Sequence, residues 1–229
     1  VDPEEINSYE IGFKSELAQK RVRVNASAYY YDYKNLQRQY NDIDTGASRV
    51  EAARKAEVYG LDLLVEALPI ESLTLSANVN LMHSEYRHFV SSGSLIPNTE
   101  LVGPGVPGNS PVLRDLSGNE LTRAPDWSFN LSADWRIPLG SLGETAIQVG
   151  YFRTASYFIN PTNRIRQDAY DLLSSSITYV APGGRWRASL WGRNLTNSKH
   201  IAGSAESALG DGVRLSDPRT YGLTLGYSF

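Results

Sequence analysis

Four carboxylates, Asp115, Glu120, Asp126 and Asp134, pose the first chemical question, because paired acids with separated pKa values can run acid and base catalysis. No spacing selects a pair among them, and no serine, histidine and acid recur in a nucleophile pattern, so an enzyme is not expected. The histidines, His83, His88 and His200, are too few and too dispersed for a zinc site. The absence of cysteine excludes thiol catalysis, a disulfide framework and Cys-based zinc binding. No metal or cofactor is expected. GPGVPG at 103–108 has the spacing of a dinucleotide fingerprint, but that motif needs a strand before it and a helix after it. Pro104 and Pro107 supply neither, and the segment reads as a loop.

Two groups remain for binding. Tyr29, Tyr30, Tyr31 and Tyr33, with Tyr40 beyond, crowd one end of a strand pattern. They form either an aromatic girdle at a membrane interface or, through Tyr29, Tyr31 and Tyr33, the wall of a ligand vestibule. His88 stands where a strand gives way to a long loop, as a solvated rim residue or as a ligand contact. The formal charge of −3 leaves no basic footprint for nucleic acid. The charge run RVEAARKAE at 49–57 reads as a short helix or a charged loop base.

The elements that position these residues show a period of two. In WSFNLSADWRIPL, Trp127, Phe129, Leu131, Ala133, Trp135 and Ile137 oppose Ser128, Asn130, Ser132, Asp134 and Arg136. The same alternation runs through NSYEIGFKSEL, VRVNASAYYYDY, EVYGLDLLVEAL, SLTLSANVNLMHSEY and the terminal YGLTLGYSF. It is weaker at 145–158, 170–180 and 185–194, which makes nine strands in all. Tight turns at 18–20, 68–71, 140–143 and 181–184 alternate with long connections at 35–53, 88–124, 160–169 and 195–216. One rim of the sheet therefore carries turns and the other carries loops. No apolar run approaches the roughly 18 residues of a spanning helix, which leaves spanning strands open.

Long alternating strands with loops on one rim and aromatics near strand ends are the signature of an outer-membrane barrel. Lipid offers the backbone no hydrogen-bond partner, so such a sheet must close. Single-chain bacterial barrels have even strand numbers with both termini on the periplasmic side. An odd count with Phe229 periplasmic puts residue 1 at the outer rim, and implies that earlier strands precede it.

PRTYGLTLGYSF, WGRNLTN, GNELTRAPDWSFNLSADWRIPL, KAEVYGLDLLVEALP and PEEINSYEIGFKSEL together resemble the C-terminal barrel half of TonB-dependent outer-membrane receptors, over nearly all of residues 1–229. The fold class is then all-β, an antiparallel transmembrane β-barrel, here nine C-terminal strands of one with about 22. The resemblance implies a Gram-negative outer membrane and a plugged lumen. It further implies uptake of a ferric siderophore, haem, vitamin B12 or a similar scarce ligand, caught by the loops at 35–53, 88–124 and 195–216. The implied partners are outer-membrane lipid, a TonB-type energy-coupling protein and the barrel-assembly machinery. That machinery would read Tyr221, Leu223, Leu225, Tyr227 and Phe229 as its signal. A passive porin-type pore shares the girdles and loop asymmetry and is the alternative.

Overall fold

The computed structural model describes residues 1–42 and 45–229. Its strands are β1 (Glu5–Leu17), β2 (Val22–Asn41), β3 (Ser48–Ile70), β4 (Leu73–His88), β5 (Val90–Pro97) and β6 (Asn109–Asp115), with a short helix α1 (Asn98–Leu101) before β6. They continue as β7 (Trp127–Pro138), β8 (Glu144–Thr154), β9 (Tyr157–Phe158), β10 (Arg166–Gln167) and β11 (Tyr170–Val180). The last are β12 (Trp186–Arg193), β13 (Ile201–Ser207), β14 (Gly210–Leu215) and β15 (Thr220–Tyr227). Nine of them form one antiparallel sheet in the order β1-β2-β3-β4-β7-β8-β11-β12-β15. The pairs β5–β6, β9–β10 and β13–β14 are separate two-stranded sheets, all within the long connections.

Register carries the alternation across the whole sheet. Directly paired residues share a face, and Leu61↔Leu81, Ala77↔Leu131, Leu131↔Tyr151, Tyr151↔Leu173 and Leu190↔Leu223 pair apolar with apolar. The same registers set Asp62↔Asn80, Asn78↔Asn130, Asp134↔Gln148 and Thr178↔Ser189 together on the other face. Among the described residues the apolar face has no protein layer against it: Ile11, Leu61, Leu190 and Leu223 are all more than half exposed. A soluble sandwich would bury that face.

The tight-turn rim departs from expectation at one place. β3 runs on through Pro69 to Ile70, and the turn falls at Glu71 and Ser72. A register shift between Ala67 and Ile70 accommodates Pro69, which has no amide to give the ladder.

The long-loop rim departs more. The connection expected at 35–53 is mostly strand: β2 extends to Asn41, which pairs with Ser48, and of the six residues left between them Ile43 and Asp44 lie outside the described residues. RVEAARKAE is strand as well, neither helix nor loop base, because its backbone is paired along β2 from Tyr40↔Arg49 to Asp32↔Glu57. Asn35 adopts φ 52° within β2 and breaks the alternation. Tyr33 and Leu36, three apart, therefore both pack on one cluster, as do Ala53 and Ala56 from the facing strand. Tyr86, Phe89 and Leu116 complete this buried cluster. The core thus sits above the sheet's long-loop rim. GPGVPG is a loop between α1 and β6, with Gly103, Gly105 and Gly108 all at positive φ.

Candidate functional site

A cavity of about 640 Å³ opens where the polar face meets the hairpin β13–β14. Asn130, Ser132, Phe152, Leu172, Ser174 and Arg193 furnish the wall, and His200, Ala202, Arg214 and Ser216 come from the hairpin and its base. The hairpin is held over the wall at both ends. At its base His200 and Ser216 bond to each other through their backbones at 2.8 Å. The Ile201 amide donates to Gln167 Oε1 at 2.6 Å, and the His200 ring lies flat on Tyr170 at 4.3 Å. Burial holds the His200 imidazole below its usual pKa, and its Nδ1 is buried without a partner among the described residues.

At its tip the hairpin enters a polar lock. Arg164 donates to Glu206 at 2.8 Å and pairs with Asp211, and both hydrogen bonds are charge-assisted. Asn160 accepts from the Arg164 and Ile165 amides at 3.1 and 2.9 Å and donates to Glu206 at 2.7 Å. Asn109 joins β6 to the lock through Ser207 O and Asp211, both at 2.9 Å. Arg164, with help from Asn109, keeps the Asp211 carboxyl below the ordinary carboxylate range. On the other side of the rim, Glu51 fastens β5: it accepts from Ser91 Oγ at 2.8 Å and from the Ser92 and Gly93 amides at 3.1 and 3.3 Å, while paired with Arg38. The periodicity held no trace of these locks. Gly210 and Gly212 hint at a turn within 195–216, but the turn falls at Ala208 and Leu209, and both glycines lie in β14.

The tyrosine group divides between the faces. Tyr30 pairs with Tyr9 and Tyr59 on the apolar face, where Tyr9, Tyr30, Tyr59 and His83 make a continuous ring row with centroid spacings of 6.4, 6.4 and 4.9 Å. That row has the composition of an interfacial girdle. Tyr29 and Tyr31 stack at 5.1 Å on the polar face. The Tyr29 ring covers Gly60, whose bare Cα leaves the space it fills, and its hydroxyl accepts from Asn80 at 3.3 Å. Tyr33 is also on the polar face but packs into the buried cluster. His88 pairs with Lys55 on the opposite face, after a register shift, and is exposed. The structure therefore separates His88 from the tyrosines.

The four carboxylates do not converge. Asp115 accepts from Ser117. Burial raises the Glu120 carboxyl, with Asp126 as a like-charged neighbour. Asp134 stands apart on the sheet and accepts from Gln148 at 2.7 Å. Tyr221, Leu223, Leu225 and Tyr227 line the apolar face of β15, and Phe229 packs edge-on against Tyr227 at 5.2 Å.

An antiparallel sheet with an unclothed apolar face, a wettable face and loops gathered on one rim defines the wall of a transmembrane barrel. Residues 1–195 match the family model described as TonB dependent receptor-like, beta-barrel, and the chain belongs to that family. Solved structures agree in fold. The ferric yersiniabactin uptake receptor FyuA of Yersinia pestis is similar with a TM-score of 0.75 at 18% identity, over 99% of this chain and 30% of that one. The siderophore receptor PiuA of Acinetobacter baumannii gives 0.70 at 15%, over 99% and 29%. The ferric preacinetobactin receptor BauA of the same organism gives 0.66 at 17%, over 98% and 29%. The chain thus spans under a third of the length of these receptors.

Proposed function

We propose that this chain forms part of the wall of a Gram-negative outer-membrane receptor that takes up a ferric siderophore or similar scarce chelate, with energy from a TonB-type coupling protein. The observation that carries this reading is the family match joined to a cavity that the polar wall shares with a loop hairpin. The apolar face then meets lipid, the polar face lines the lumen, and the long-loop rim is extracellular. Tyr29 and Tyr31 extend the ligand's path along the inner wall, whereas Tyr33 anchors the extracellular cap. The family match favours a receptor over a passive pore.

The test is growth of the producing strain on siderophore-bound iron. Deletion of the gene abolishes growth on at least one ferric siderophore; undiminished growth on every one supplied overturns the reading. Tyr221, Leu223, Leu225, Tyr227 and Phe229 are proposed as the signal for the barrel-assembly machinery. Removal of Phe229 lowers the amount of receptor at the cell surface while the assembled fraction binds ligand normally, and an unchanged surface amount refutes that role.

A further inference from the structure

Three long connections on the loop rim, those from β4 to β7, from β8 to β11 and from β12 to β15, meet one another at three seams. At the first, Asn163 accepts from the Glu120 amide at 2.8 Å and returns a hydrogen bond to the Glu120 carbonyl at 3.0 Å, so one side-chain amide stands in for a ladder pair. Asn119 donates to Pro161 O, and the Arg123 amide to Phe158 O, both at 2.7 Å. These bonds join the β4–β7 connection to the β8–β11 connection. The second seam joins β8–β11 to β12–β15, through Asn160 and Arg164 on Glu206 and Asp211 and through Gln167 on the Ile201 amide. The third leads from β12–β15 back to β4–β7. There the Asn109 amide donates to Ala208 O at 3.0 Å, and its side chain donates to Ser207 O and Asp211. Gly108, at φ 87°, permits this approach, because a Cβ would collide with Ala208 O.

The three seams close a ring, in which each connection is bound to both of the others. Any one of them that moves alone must break two seams together. Asn109, Asn160 and Gln167 are buried, and Pro161 fully so, which keeps water from replacing their hydrogen bonds as a seam begins to open. A buried amide that loses its partner then bears the whole desolvation of the group. The ring is also fastened to the wall. The Tyr86 amide donates to Asn119 O at 2.9 Å, the Leu121 amide donates to Ser84 Oγ at 3.2 Å, and Phe89 and Leu116 lie in the buried cluster above β3 and β4.

We infer that these three connections form one interlocked frame that keeps its shape while ligand enters and leaves. None of the three folds down over a ligand alone, and the β13–β14 hairpin is a fixed part of the mouth. A connection that moved singly would need a hinge free of the other two, and each of these is held by both neighbours through buried amides. The inference rests on the uptake reading above.

The test has two arms, both on the intact receptor in outer membranes, with equal surface amounts showing that each variant has assembled. In the first, Asn109→Ala and Asn163→Ala each weaken one seam, at positions that share no hydrogen-bond partner among the described residues. Amide hydrogen exchange is read over 98–108. Either variant alone speeds it by no more than about threefold, since the other seam still holds, and the pair speeds it by about tenfold more than the product of the two. A pair that only equals that product overturns the frame. In the second arm, Asn109→Cys and Ala208→Cys are joined by a short thiol cross-linker, in a sequence with no cysteine of its own. Uptake of the ferric siderophore that supports growth in the test above matches that of the same variant capped at each thiol with N-ethylmaleimide. Loss of uptake on cross-linking overturns the inference and leaves the uptake reading standing. If the capped variant and the parent both take up no ferric siderophore, the uptake reading falls, and the exchange arm still decides whether the frame exists.

Discussion

Leu131 and Phe89 are both large apolar side chains carried by or beside long strands, yet they meet different surroundings. Leu131 sits mid-strand between Ala77 and Tyr151 and is 44% exposed. Phe89 follows β4 and is fully buried against Tyr86, Ala53, Ala56 and Leu116. In the orientation proposed above, the difference separates the molecule into a membrane belt and an extracellular cap. In the belt each strand buries nothing of its own, because lipid is the solvent for one face and the lumen for the other. In the cap the backbone has left the membrane, water returns on both sides, and the chain must build an ordinary core and satisfy its loop amides. Glu51, Asn160 and Asn163 do the latter. Among the described residues, the buried side chains lie at the extracellular strand ends or in the loops.

Phe89→Ala is the substitution on which this division places the largest effect. It opens a cavity in a dry cluster and destabilises the cap by about 3–5 kcal/mol. Limited proteolysis on intact cells reads the result: cleavage within 88–124 rises steeply while the belt stays resistant. The matching belt change, Leu223→Ala, leaves cap protection unaltered, since it removes a side chain from the lipid face. Equal cleavage in the two variants would erase the distinction. Next in size is a pair on one strand. Leu131→Arg costs about 2–4 kcal/mol near the membrane midplane, whereas Asn130→Arg, on the luminal face, costs little. Urea unfolding in lipid vesicles measures both, and similar losses would mean that the faces have been misassigned.

The belt was legible in the sequence and the cap largely was not. A period of two survives only where two solvents face a strand along its whole length, and WSFNLSADWRIPL has that from Trp127 to Pro138. Above the membrane both solvents are water, so the pattern fades although the strand continues. RVEAARKAE looks like a loop for that reason, and Asn35, by entering the left-handed region, reverses the facing of the β2 residues after it. The candidate cavity was half legible. The connection 195–216 was expected to catch ligand, but its partners on the wall, Asn130, Phe152 and Arg193, come from strands far apart in sequence and meet only through register. His88 and Tyr31 have the opposite history: both lie near the extracellular rim in sequence, but a register shift and strand parity send them to opposite faces.

The polar lock gives the cap a pH dependence. Arg164 lowers the Asp211 carboxyl pKa, so the folded state binds that proton less readily than the unfolded chain. Its stabilisation is present in full above the ordinary carboxylate value of about 4 and is lost as pH falls through the lowered one. His200, depressed by burial, acts in the same direction over a higher range: the hairpin base weakens once pH drops below the ordinary histidine value of about 6.5. Proteolysis of the hairpin therefore increases in two stages on acidification. Arg164→Gln removes the lower stage and costs about 1–3 kcal/mol at neutral pH by leaving two part-buried carboxylates short of a partner. A variant with the same two-stage profile as the parent would show that the lock does not hold the hairpin.

The smallest effect lies at the tight-turn rim, in the turn from β1 to β2, where backbone conformation decides. Ala18, Gln19 and Lys20 all adopt positive φ, at 50°, 57° and 67°, to turn β1 into β2. The Arg21 amide donates to Ala18 O at 3.1 Å, closing a turn within the four-residue connection 18–21, whose left-handed positions favour glycine or asparagine. Gln19 and Lys20 instead carry a Cβ in the left-handed region, at a cost of about 1–2 kcal/mol per residue. Lys20→Gly relieves that cost but gives the unfolded chain more freedom, which takes back about half of the gain. The net expectation is a stabilisation of about 0.5–1 kcal/mol, visible as a higher urea midpoint with an unchanged slope. The same substitution at Leu17, the last paired residue of β1, has no such strain to relieve and lowers the midpoint. If Lys20→Gly also lowers it, the turn does not hold this geometry in the membrane-embedded protein.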